Sequence, residues 1–160
     1  MMLLLSAIVA YLTLYPASVH FPPSIAANAD IYFDDSLGLL GDPRNLDLEG
    51  GVLALLKWTE SSTGFASLSL RTDSQDAWVF QPPLGPRVAA ESAFVLGVAK
   101  CDNRIAEVLR SNGHPVSNPA FSLHAIEVHN SQREGRGFYG MKGSPSGPYS
   151  DVLLSDRKAF

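Results

Sequence analysis

Apolar residues along the chain come in short runs separated by turn formers, a pattern that predicts several strands and few helices. Ser24-Ile25-Ala26-Ala27 follows the breaker His20-Phe21-Pro22-Pro23 and leads into Asn28-Ala29-Asp30-Ile31-Tyr32-Phe33, predicting a strand whose end carries polar residues. Val52 to Trp58 (VLALLKW) is a compact run of strand length that predicts a buried strand. Phe65 to Leu70 alternates and predicts an exposed strand, and Ala77-Trp78-Val79-Phe80 predicts another, stopped by Pro82-Pro83. After Cys101, Ile105, Val108 and Leu109 recur on one helical face, with Asp102 as a candidate cap, Arg110 near the negative end, and Gly113 and Pro115 as the stop. Phe121 to His129 predicts a strand. From Gln132 onward Gly, Ser, Pro and Arg predict a loop or tail, with one strand near Val152-Leu153-Leu154. The expected fold class is mixed α/β in a single domain.

Composition narrows the partners. The 160 residues suit one domain, 46% of them are hydrophobic, and wholesale disorder is excluded. Twelve Lys and Arg against 16 Asp and Glu leave a formal charge of −4, which argues against electrostatic binding of nucleic acid. One cysteine, Cys101, excludes an internal disulfide and any multi-cysteine zinc site. Met1 to Leu14 is almost wholly apolar yet shorter than the ~20 residues of a spanning helix, so no membrane span is expected. It reads either as the core of a secretory signal lacking a basic start or as an edge element of the domain, which leaves the secretory pathway and the cytoplasm both open. The expected organisation is an apolar leader (1–23), a domain (24–133) and a Gly/Ser/Pro-rich tail (134–160).

Four stretches set polar groups at the ends of apolar elements: Asn28-Ala29-Asp30, Asp73 to Trp78, Gly97 to Arg104, and His129. The ordered runs ANADIYFDDSL, LALLKW, RTDSQDAWVF and FVLGVAKCDNRIAEVLRSNGHPVSNPAFSLHAIEVHNSQR resemble the C-terminal half of a glycosyltransferase-like domain of the nucleotide-diphospho-sugar transferase (GT-A) type, over about Ser24 to Arg133. The resemblance implies a partial GT-A-like sheet with flanking helices. It also implies a divalent metal (Mn²⁺ or Mg²⁺) held by Asp30 and His129, with Asn28 on the donor side, where the first Asp of a DxD motif would stand. Asp102 becomes the catalytic base toward an acceptor hydroxyl, and Asp76 and Trp78 the acceptor side. The partners implied are a nucleotide-sugar donor, a carbohydrate or other hydroxyl acceptor, and a partner chain that completes the half-domain and covers its sheet edges.

Each residue also has a plainer reading. Asp30 satisfies turn amides, Asp102 caps a helix, His129 is a solvated strand end, Trp78 and Trp58 are core or boundary aromatics, and Cys101 is a small buried apolar group. The functional expectation is metal-assisted sugar transfer, by a truncated chain that is inactive alone or completed by a partner. The alternative is a non-enzymatic secreted α+β interaction module.

Overall fold

The computed structural model describes residues 22–41, 48, 50–96, 98–128 and 143–155. Among them the fold is mixed α/β, a single small domain with two four-stranded mixed sheets. The apolar leader expected over 1–23 falls almost entirely outside the described residues, as does His129. No helix among the described residues is long and apolar enough to cross a membrane.

The first sheet has the order β1 (Ser24–Ala27), β6 (Ala77–Phe80), β3 (Val52–Leu55), β7 (Val116–Ser117). β6 lies antiparallel between β1 and β3, and β7 runs parallel to β3. Its two central strands are buried on both faces, which is why VLAL and AWVF read as unbroken apolar runs. Val52, Ala54, Trp78 and Phe80 point to one face, where they pack with Val88, Ala89, Ala106, Val108 and Leu109. Those residues come from two helices, α1 (Pro86–Glu91) and α2 (Cys101–Ser111). Leu53, Leu55, Ala77 and Val79 point to the other face and pack with Leu48, Leu123 and Ala125. The side chains thus alternate between two cores, as the pleat requires.

The second sheet has the order β2 (Ile31–Phe33), β8 (Ala125–Glu127), β4 (Lys57–Glu60), β5 (Ala66–Leu68). Ile31 and Phe33 join Ala125 against the second core. The run VLALLKW is therefore two strands, parted at Leu56, each in its own sheet. The Leu56 amide leaves the ladder and donates to Oδ1 of the fully buried Asn118, 3.2 Å away. Likewise the polar Asn28-Ala29-Asp30 is the turn between β1 and β2, not the end of one strand.

The helix expected after Cys101 is present, but its cap differs. Lys100 stands at the N-cap in a left-handed conformation (φ 65°), and Asp102 lies in the first turn. Gly113, with φ 87°, ends the helix as expected. Residues 143–155 lie along α2. Asn103 Nδ2 donates to Asp151 Oδ1 at 2.8 Å, Arg110 Nη1 donates to the Asp151 carbonyl at 2.6 Å, and Val152 is fully buried in the first core.

Candidate acid–base site

Where the two sheets part, the strand ends carry charge. Asp76 precedes β6, and its backbone continues the ladder: its N–H donates to the Leu55 carbonyl at 2.9 Å and its carbonyl accepts from Asn28 N–H at 3.0 Å. Ala77 faces the core between the sheets, so alternation turns Asp76 toward the side where α2 begins. Only 8% of Asp76 is exposed. Oδ1 accepts from Asn28 Nδ2 at 3.0 Å and lies 3.6 Å from Lys57 Nζ, while the buried Oδ2 has no hydrogen-bond donor among the described residues. Burial raises the Asp76 pKa, and the Lys57 ammonium and the Asn28 amide only partly oppose that.

Lys57 opens β4 and is the cation of the cluster. Its Nζ donates to Glu127 Oε1 at 2.7 Å, and parallel pairing of β4 with β8 brings the two residues into neighbouring register. Burial by itself would lower the lysine pKa. The hydrogen bond to Glu127 and the charges of Asp76, Glu127 and Asp30 reverse this, so the ammonium is favoured. Asp30 thus reaches the cluster through its charge.

Asp102 completes the group. It lies in the first turn of α2, accepts a weak hydrogen bond from Cys101 Sγ at 3.4 Å, and receives the Gln75 backbone N–H. A helix N-terminus by itself favours the carboxylate form. Here burial outweighs it, and with the Asp76 charge it pushes the Asp102 pKa from 3.8 to about 6. Cys101 is buried, in keeping with its plainer reading.

Of the expected site residues, Asn28 and Asp76 are in direct contact, and Asp30 and Asp102 are coupled to the same Lys57–Asp76 pair through their charges. Trp78 does not join them; its side chain lies in the core between the first sheet and the helices. Among the described residues, no three His, Cys, Asp or Glu side chains are grouped so as to hold a metal ion. Sequence reasoning missed Lys57 and Glu127. The available signal was Lys57 itself, a lone charge closing an otherwise apolar run, which requires a counter-charge once the run is buried.

Comparison with known proteins gives little coverage. No family model matches the chain, and no solved structure does. An 8-amino-7-oxononanoate synthase of Mycolicibacterium vanbaalenii is 38% identical over 78 residues, or 49% of this chain. The chain covers about a fifth of that relative's length (20%). This match overturns the resemblance to a GT-A glycosyltransferase and the sugar-transfer function drawn from it, and it gives no support to the non-enzymatic module either. The geometry gives a physical reason. The Asn28 amide is spent on Asp76, and Lys57 is ion-paired with Asp76, the carboxylate that the sugar-transfer reading assigned to the acceptor.

Proposed function

We propose that this cluster is a proton-transfer site, and that the chain is part of a synthase-type enzyme acting on a small carbonyl compound. Asp102 is the group that takes up and returns the proton. The observation that supports this best is a half-buried carboxylate in the first turn of α2 whose desolvation, with the Asp76 charge, raises its pKa to about 6. At neutral pH such a carboxylate is ionised and can accept a proton, yet it protonates far more readily than an ordinary aspartate. Asn28 fixes the Asp76 carboxylate, and Lys57, bridged to Glu127, keeps the summed negative charge from driving Asp102 fully into its neutral form.

The name of the matched relative describes a product with an amine and a ketone on neighbouring carbons. The hydrogen on the amine-bearing carbon of such a compound is acidified by the carbonyl, and its removal is work for a carboxylate of this kind. The test is deuterium exchange at that carbon of 3-amino-2-butanone in D₂O, followed by NMR with the full chain. Exchange above the buffer rate, rising with pH through about 6 and falling roughly a hundredfold in Asp102→Asn, supports the reading. Exchange at the buffer rate, or unchanged by D102N, refutes it.

A further inference from the structure

The second sheet has a face that the acid–base site does not use. Register aligns Tyr32, Ile126, Trp58 and Leu68 across its four strands, so these residues share one face, and alternation adds Asp34, His124, Val128, Glu60 and Leu70. The side-chain contacts agree. Tyr32 OH donates to Glu60 Oε2 at 2.9 Å across β8, His124 Nδ1 lies 2.8 Å from Asp34 Oδ2, and the Trp58 and His124 rings meet edge to face at 5.2 Å. The face is open. Tyr32 is 38% exposed, Val128 51% and Leu70 70%.

Among the described residues its exposed charge is carried by carboxylates, with His124 paired to Asp34. Glu60 is bonded to a phenol rather than to a cation, and the Tyr32 pKa is raised chiefly by that hydrogen bond to Glu60. Asp34 keeps its carboxylate form. Burial works against it, but hydrogen bonds from Ser36 and His124 lower its pKa, and Asp35 lies exposed beside it. Lys57, on the same strand as Trp58 and Glu60, alternates to the opposite face, where it meets Glu127.

We propose that this face docks an arginine-bearing segment of a partner protein. A guanidinium stacks against an aromatic ring while its planar fork pairs with a carboxylate, and Tyr32 beside Glu60 offers both within one hydrogen-bonded unit. Charge argues against a second copy of the chain as the occupant. A symmetric dimer through this face would set Asp34 and Glu60 of one copy against the same carboxylates of the other, in a chain of formal charge −4.

The test is titration with a capped Gly-Arg-Gly-Arg-Gly-Arg peptide and with its lysine and glutamate counterparts. The readouts are amide shifts of Tyr32, Trp58 and Val128 and the emission of Trp58, since Trp78 is buried. The arginine peptide should shift those amides, bind more tightly than the lysine peptide, and lose affinity with added salt. Glu60→Gln should weaken it about fivefold, and Tyr32→Ala by a similar factor. Tyr32→Phe, which keeps the ring, should retain most of the binding and controls for folding. Absence of shifts at these residues, equal binding of the glutamate peptide, or affinity unchanged in both E60Q and Y32A overturns the proposal. Sedimentation showing that the face is already occupied by a second copy overturns it as well.

Discussion

Replacing Asp102 by Asn should make the protein more stable at pH 8 while removing its proton-transfer capacity. Asn keeps the shape of Asp and retains an oxygen to accept the Gln75 N–H and the Cys101 thiol, but it does not ionise. Native Asp102 holds its proton to a higher pH than the unfolded chain does, about 6 against 3.8. The native state is therefore favoured in full below about pH 4, and that advantage is lost as pH rises through 6. Above pH 6 the ionised, half-buried carboxylate costs about 3 kcal/mol relative to the unfolded chain. Urea unfolding of the parent and D102N at pH 3.5, 6 and 8 measures this directly. The curves should coincide at pH 3.5, and the variant should gain about 2–3 kcal/mol by pH 8. A variant that is equally stable at all three pH values, or less stable at pH 8, would refute the claim that burial dominates at Asp102. The gain in stability alongside lost exchange activity is the signature of a group kept for function at a cost to the fold.

Other residues give independent checks. Lys57→Met removes the cation between Glu127 and Asp76 and should cost about 2 kcal/mol at pH 8 and less at pH 5, read from urea midpoints at the two pH values. His114→Phe removes contacts from both ring nitrogens, to the Gly50 carbonyl at 2.8 Å and the Leu84 carbonyl at 3.0 Å, and should lower stability by about 1–3 kcal/mol. Gly147→Ala places a Cβ 2.8 Å from the Arg104 guanidinium carbon at a φ of +122°, and should loosen residues 143–155 from α2, seen as faster amide exchange at Ser150 and Val152.

Much of the fold was legible because alternation and burial leave local marks. AWVF and VLAL are apolar at every position since both faces of the first sheet are covered, and Ile105, Val108 and Leu109 mark the α2 stripe. Two features left no mark. VLALLKW looks continuous because Leu56 is as apolar as its neighbours. The reason it ends β3 is the side chain of Asn118, 62 residues away. α1 has six residues and too few periodic positions to show a face. The site was half legible for the same reason. Asp30, Asp76 and Asp102 stand out as carboxylates at the ends of elements. Their grouping depends on pairings between Asn28 and Asp76, 48 residues apart, and between Lys57 and Glu127, 70 apart, which only the sheet registers create. Asp102 shows the limit of local reasoning most clearly. A helix start predicts an easily ionised carboxylate, and only tertiary burial raises its pKa.

The most direct test of the acid–base site is a titration of the side-chain carboxyl carbons by ¹³C NMR, with Asp102 assigned by comparison with D102N. The account predicts a midpoint near pH 6 for Asp102, moving to lower pH in Asp76→Asn as the neighbouring charge is removed. A midpoint in the ordinary aspartate range, unmoved by D76N, would contradict it.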